Sequence, residues 1–176
     1  WEDKDYPYLQ PHPDTPDCAE GGDVFCDTKD EKILSQVLND YDLETKDFYR
    51  WTTEYSRTDV SELVRRRSGI DFGTIRDLVP IERGPSGRLK RLKVVGDKKT
   101  MVIGKELIIL RWLSESHLKS SAFDIKWVGD RLVLDGSGWG PGVGLCQIGA
   151  AVMASKGYTF DQILLHYYPG SILERR

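Results

Sequence analysis

Four glycines alternate with other residues near the C-terminal end of the sequence, and this spacing restricts the backbone more than any other feature of the chain. They are Gly138, Gly140, Gly142 and Gly144. Glycine tolerates positive φ angles and close approach of a second backbone, so these residues predict a tight loop. An apolar face at i, i+3, i+4 and i+7 follows, which predicts an amphipathic helix directly after the loop. Its residues are Leu145, Ile148, Gly149 and Val152.

Short apolar runs separated by turn residues fill the middle of the chain and predict mainly antiparallel strands. Along residues 47–56 more apolar side chains alternate with more polar ones, which predicts a strand with Trp51 on the inward face. Residues 76–103 predict further strands joined by turns. Residues 122–128 and 131–135 predict a hairpin across Gly129-Asp130. Helices are predicted over 31–40, over 59–67 with Thr58 or Asp59 as its cap, and over 105–113.

A second C-terminal helix is predicted by a capping box that starts at Thr159 and includes Gln162. Its apolar face consists of Phe160, Ile163, Leu164 and Tyr167. The expected fold class is therefore α+β, with antiparallel strands and hairpins and several short helices, two of them C-terminal. We expect one domain over residues 1–176, of which residues 1–30 form an irregular segment rich in Pro and Asp.

The charge balance and the hydropathy pattern exclude two classes of function. Charged residues make up 30% of the chain, but the net charge is only -3, whereas a nucleic-acid binder normally carries a basic excess. No apolar run approaches the roughly 20 residues that span a bilayer, so no transmembrane segment is predicted.

The three cysteines are Cys18, Cys26 and Cys146, and their odd number leaves at least one thiol unpaired within the chain. Cys18 and Cys26 are close in sequence within the irregular segment, and a disulfide between them is the preferred interpretation. As alternatives, His12, Cys18 and Cys26 would supply three zinc ligands, or the thiols would be free. No other cofactor is predicted. Cys146 lies in the apolar helical pattern and is expected to be a small buried side chain.

The residues from Gly138 to Gly170 carry a resemblance to a known family. The glycine loop with Trp139, the Gly-Val-Gly that precedes a helix with Gln147, the Lys-Gly-Tyr turn ending at Tyr158 and the closing Tyr-Tyr-Pro-Gly are similar to the C-terminal signature of the SpoIID/LytB family of bacterial cell-wall proteins. A weaker likeness is Trp1 followed by Pro7-Tyr8-Leu9. The chain is thus identified as the C-terminal portion of a SpoIID-like protein.

The resemblance implies a lytic transglycosylase that cleaves the glycan strands of peptidoglycan. Such an enzyme needs one carboxyl group, which protonates the glycosidic oxygen and then takes a proton from the 6-hydroxyl of the sugar as an anhydro ring closes. No water is added, so the scheme differs from the two-carboxylate mechanism of ordinary glycosidases. The resemblance also implies an extracytoplasmic location and, for some relatives, activation of a cell-wall amidase.

Two departures from the family pattern limit what the resemblance implies. The family's catalytic Glu lies on an Ala-rich helix that this sequence does not contain, so we expect it upstream of Trp1 and assign no catalytic residue here. The chain alone is then expected to be inert. Pro141 replaces the His that precedes Gly-Val-Gly in active members, and its side chain has no proton to transfer. A non-catalytic glycan-binding or amidase-activating relative is therefore the alternative.

The candidate substrate-binding residues lie in and beside the glycine loop. They are Trp139, Gly140, Gly142, Gly144, Gln147 and Tyr168. Trp139 suits stacking on a sugar face, and free backbone N–H groups at the following helix suit hydroxyls or carboxylates. The alternative is a tight structural connection. Tyr167 is expected in the core and His166 at the surface, and Glu54, the one replacement acid that we considered, falls on the polar face of its strand.

Overall fold

The computed structural model describes residues 6–11, 14, 24–38, 49–116 and 118–174. The chain forms two compact units: Trp1–Tyr49 together with Gly142–Arg176, here called the terminal unit, and Arg50–Pro141, here called the central unit. The described residues form five helices and two three-stranded antiparallel sheets, which confirms the α+β class. One domain over residues 1–176 stays a prediction.

The central unit contains six strands and two helices. In chain order they are β1 (Arg50–Ser56), α2 (Arg57–Ser68), β2 (Ile75–Arg83), β3 (Leu89–Gly96), β4 (Thr100–Gly104), α3 (Glu106–Trp112), β5 (Phe123–Val128) and β6 (Arg131–Ser137). The predicted strand region, the hairpin and both helices are confirmed, with bounds shifted by a few residues.

The first sheet has the order β1-β6-β5, so β6 lies in the centre. β5 and β6 form the predicted hairpin, and β1 pairs antiparallel with β6 from the other end of the unit. Trp51 is paired with Gly136, and a Cβ atom on Gly136 would overlap the Trp51 indole ring. The indole Nε1 donates to the Gly138 carbonyl at 3.1 Å. Gly136 therefore provides the space in which Trp51 is buried.

The second sheet has the order β2-β3-β4. Pro80 lies in β2, which is an edge strand of this sheet. Proline is tolerated in edge strands because one side of such a strand has no partner strand to receive an N–H hydrogen bond. Before this sheet, Ser56 is the N-cap of α2, and its side chain accepts a hydrogen bond from Asp59 N, so the predicted cap at Thr58 or Asp59 was wrong. α2 ends at Gly69, whose φ of 72° suits a glycine.

The core of the central unit is a continuous cluster of buried apolar side chains from both sheets and both helices. It includes Trp51, Val60, Val64, Phe72, Ile75, Leu78, Leu89, Leu92, Ile109, Leu113, Phe123, Leu132 and Leu134. Trp51 is buried as predicted. In α3, by contrast, Leu107 and Ile108 are exposed, because Ile109 and Leu110 take the inward face.

The described residues of the terminal unit form three helices: α1 (Glu31–Val37), α4 (Gln147–Ser155) and α5 (Phe160–Tyr167). Its core consists of Phe25, Ile148, Val152, Met153, Ile163 and Tyr167, and apolar residues of α1 pack against it. The described residues before Asp30 form no helix or strand, as predicted for this segment. Leu145 and Phe160 were expected on the apolar faces, but both are exposed.

The ends of the C-terminal helices follow the sequence signals. Gly157 directly follows the cap of α4 at Lys156 and has a φ of 89°. The capping box of α5 is present, since the Gln162 side chain accepts from Thr159 N at 2.9 Å. Within the described residues no helix combines the length and the apolar character that crossing a membrane requires.

We predict that Gly136→Ala destabilises the protein by about 2 kcal/mol or more, because a methyl group would force Trp51 out of its place. Urea unfolding followed by tryptophan fluorescence measures the change. The matched control is Gly104→Ala, where the nearest atom to the new Cβ lies at 3.8 Å. Equal stability of the two variants would contradict the packing role of Gly136.

Candidate functional site

Three metal-binding side chains meet in the terminal unit. The Sγ atoms of Cys26 and Cys146 and a carboxylate oxygen of Asp14 all lie within 4.8 Å of one another. Each residue is largely buried, and we call this group the acid–thiol cluster. Its members come from three parts of the chain, so the cluster forms only when the terminal unit folds.

Local structure places the two thiols. Cys146 is the N-cap of α4, and its Sγ accepts a hydrogen bond from Gly149 N at 3.4 Å. Cys26 follows Phe25, a core residue whose N–H donates to the Asp14 carbonyl at 2.7 Å. This backbone bond holds the Asp14 and Cys26 segments side by side over the start of α4.

The Asp14 carboxylate is held asymmetrically. Its Oδ1 accepts a hydrogen bond from the Tyr167 hydroxyl at 2.7 Å and lies 3.3 Å from His166 Nε2. Its Oδ2 is buried and has no hydrogen-bond partner among the described residues. An unsatisfied buried carboxylate oxygen is costly, so this atom marks the position where the cluster lacks a positive or donor group.

Gly149 makes room for this arrangement. A Cβ atom at this position would overlap both the Tyr167 hydroxyl and Asp14 Oδ2. Alanine is the better helix former, by about 1 kcal/mol. The glycine in the middle of α4 is therefore explained by the approach of the carboxylate and the phenol to the helix backbone.

Burial and mutual contact shift the pKa values within the cluster. The pKa of Cys26 is strongly raised by its hydrogen bond with Cys146, by burial and by the charge of Asp14. The pKa of Cys146 is lowered by the Cys26 thiol and by the N–H groups at the start of α4. Burial, followed by the charge of Asp14, raises the pKa of Tyr167. Cys146 is thus the thiol of the pair that ionises first.

This geometry corrects some of the cysteine and histidine predictions, whereas the zinc alternative with His12, Cys18 and Cys26 stays a prediction. Cys26 has a free thiol, so the preferred disulfide with Cys18 is not supported, while Cys18 and His12 lie outside the described residues. Cys146 is largely buried against the core of the terminal unit, as predicted, but it is also the N-cap of α4 and belongs to the acid–thiol cluster. His166 was expected at the surface, yet its side chain is 11% exposed because Asp14 and Phe25 cover it.

The sequence contained one signal of this cluster that we did not use. Gly149 interrupts an apolar helical face, and a glycine in such a place indicates close packing of another group. Asp14 gave no such signal, because it is one of several acids in the irregular segment. Tyr167 was correctly predicted in the core, but its hydroxyl partner was not.

The central unit contains the first part of the glycine loop, which is fixed by hydrogen bonds. The Gly138 carbonyl accepts from Trp51, Gly140 N donates to the Lys119 carbonyl at 2.8 Å, and the Gly140 carbonyl accepts from Arg88 Nε at 2.8 Å. Trp139, between the two glycines, is 40% exposed, and Lys119 Nζ lies 5.4 Å from its ring centroid. The loop therefore presents an aromatic surface from a restrained backbone.

The other predicted binding residues belong to the terminal unit. Gly142 and Gly144 have positive φ angles, and the Tyr168 hydroxyl lies 3.9 Å from where a Cβ of Gly144 would be. Gln147 is the first residue of α4 and is exposed. The six predicted substrate-binding residues are thus divided, with Trp139 and Gly140 in the central unit and the other four in the terminal unit.

Glu54 does not have the surroundings of a catalytic acid. Its side chain is 46% exposed and forms an ion pair with Arg131 at 3.0 Å across the β1–β6 pair. A general acid usually lies in an apolar pocket, and Glu54 has no such surroundings. The placement of Glu54 on the polar face of its strand was predicted correctly.

Comparisons with known proteins give a family and one partial relative. A family model described as Domain of unknown function (DUF8618) matches residues 1–144. The chain belongs to this family. This DUF8618 chain is also 43% identical, over 54 residues, to Stage II sporulation protein D of Bacillus subtilis (strain 168). The match covers 31% of the chain and 16% of the relative, so the chain spans only a small part of that protein's length.

We predict that Gly149→Ala destabilises this DUF8618 chain by about 1–3 kcal/mol, because the overlap with Tyr167 and Asp14 outweighs the helix propensity of alanine. Urea unfolding followed by circular dichroism measures the change. The matched control is Ala154→Gly at an exposed site of the same helix, which should lose up to about 1 kcal/mol. If Gly149→Ala were stabilising, the close approach of Asp14 and Tyr167 to α4 would be refuted.

Proposed function

We propose that the protein acts on the glycan strands of bacterial peptidoglycan as a lytic transglycosylase, and that this DUF8618 chain supplies part of its glycan-binding surface. The observation that carries the proposal is the likeness to a sporulation protein over 54 residues, together with the motif from Gly138 to Gly170. Peptidoglycan lies outside the cytoplasmic membrane, so the proposal includes an extracytoplasmic location.

The binding role rests on the restrained loop around Trp139. An aromatic side chain that binds a sugar face loses little conformational entropy when its backbone is already fixed. Hydrogen bonds to both neighbouring glycines, from Trp51 and Arg88, provide this restraint. Lys119 beside the ring adds a positive charge that suits the anionic polymers of a cell wall.

The reaction needs a carboxyl group that gives and then takes a proton. The sequence has no counterpart of the family's Ala-rich catalytic helix, and Glu54 is exposed and paired with Arg131. We therefore propose that this carboxyl group belongs to a segment of the protein outside these 176 residues.

A second candidate function is glycan binding without cleavage, or activation of a cell-wall amidase. Pro141 favours it, because proline stands where active relatives have a histidine, and its side chain neither donates a hydrogen bond nor transfers a proton. Both candidates use the same surface at Trp139, and they differ in whether glycan bonds are cut.

We predict that the chain co-sediments with purified cell-wall sacculi and that Trp139→Ala weakens this binding by roughly 30-fold, the effect of losing about 2 kcal/mol from an aromatic anchor. Phe160→Ala is the matched control, since Phe160 is 64% exposed on α5, away from the glycine loop in sequence. Retention that is unchanged in Trp139→Ala, or equally reduced in both variants, would refute the assigned binding role.

We further predict that the 176-residue chain releases no anhydro-muropeptides from glycan strands stripped of their stem peptides, as measured by mass spectrometry of the digest. The full-length protein distinguishes the two candidates, because only the transglycosylase forms these products. Appreciable product from the chain alone would show that it holds the catalytic acid, contrary to our assignment.

A further inference from the structure

The acid–thiol cluster takes no part in the proposed glycan binding, and three of its properties indicate a metal site. Two sulfur atoms and a carboxylate oxygen lie within 4.8 Å of one another. One carboxylate oxygen is buried and has no hydrogen-bond partner within the part of the chain that the structure describes. The remaining contacts of the carboxylate, from Tyr167 and His166, are both on its other oxygen. The oxygen that has no partner is thus available to bind a cation.

We propose that Asp14, Cys26 and Cys146 form a zinc site, with a solvent molecule as the fourth ligand. Zinc is bound tetrahedrally by thiolates at about 2.3 Å and by carboxylates at about 2.0–2.2 Å. Ligand atoms of such a site are about 3.8 Å or less apart, so the three side chains would close by at most about 1 Å.

The chemistry of the donors selects the metal. Two thiolates exclude Ca²⁺ and Mg²⁺, which take oxygen ligands, and favour a borderline-soft ion such as Zn²⁺. Binding converts the two thiols to thiolates and releases their two protons to solvent. The ion would then neutralise the negative charge of the two thiolates and of the Asp14 carboxylate.

Neighbouring groups form hydrogen bonds with the proposed ligands, as is usual around protein-bound metal ions. Tyr167 and His166 fix the Asp14 carboxylate through Oδ1 and leave Oδ2 for a metal ion. Gly149 N donates to Cys146 Sγ at 3.4 Å and so stabilises its thiolate form. The absence of a side chain at Gly149 lets Asp14 Oδ2 lie close to the backbone of α4.

This site joins the Asp14 and Cys26 segments to the start of α4, the helix that follows the glycine loop. It differs from the zinc alternative considered from the sequence, since it uses Asp14 and Cys146 in place of His12 and Cys18. It does not depend on glycan binding, so the failure of one proposal leaves the other in place.

The test measures zinc bound to the reduced 176-residue chain by elemental analysis after dialysis, and its affinity by competition with a chromophoric chelator. The chain should hold about one zinc ion, and Co²⁺ in its place should give a thiolate-to-metal charge-transfer band. Cys26→Ser and Cys146→Ser should each weaken zinc binding by about 100-fold or more, and Tyr167→Phe by about 10–100-fold through Asp14.

Two controls separate the outcomes. Serine is a good N-cap, so Cys146→Ser keeps α4 intact while removing the sulfur, and circular dichroism verifies this. Cys18→Ser should bind zinc as tightly as the unaltered chain. The proposal is overturned if the reduced chain binds no zinc, if Cys146→Ser binds it normally, or if Cys18→Ser abolishes binding while Cys146→Ser does not.

Discussion

The hydrogen bond from Tyr167 to the Asp14 carboxylate is the contact around which the terminal unit is organised. It joins residues that are 153 positions apart and lies against the backbone of α4 at Gly149. Burying a carboxylate costs free energy unless hydrogen bonds offset it, and the contacts from Tyr167 and His166 to Asp14 Oδ1 offset part of this cost. The irregular N-terminal segment is thereby attached to the C-terminal helices without any helix or strand of its own in the described residues.

Elements defined by local signals were predictable from the sequence. The capping box at Thr159, the glycine at the end of α2 and the hairpin across Gly129-Asp130 depend on residues a few positions apart. Propensity and turn chemistry act over this range, and the bounds differ by only a few residues. The same holds for the inward face of β1, which follows from the alternation around Trp51.

Contacts between distant residues could not be predicted in the same way. Nothing in the local sequence says that β1 pairs with β6, or that Asp14 is the acid that reaches Tyr167. The candidate site contains both local and distant features. The glycine loop with its exposed Trp139 is local and was predicted, whereas the acid–thiol cluster was missed because its members are far apart in the sequence. The burial of Cys146 was predicted, but its role as the N-cap of α4 was not, because the helical pattern was expected to start at Leu145.

The pairing of Arg50 with Ser137 has a consequence for the modular construction of the protein. It brings the beginning of the central unit beside its end, so the chain leaves this unit next to the point at which it arrived. The central unit is thus inserted in sequence between the two halves of the terminal unit. Because its ends are adjacent, such an insertion can be exchanged or removed without displacing the segments on either side. The two halves of the terminal unit would then need only a short connection to remain together.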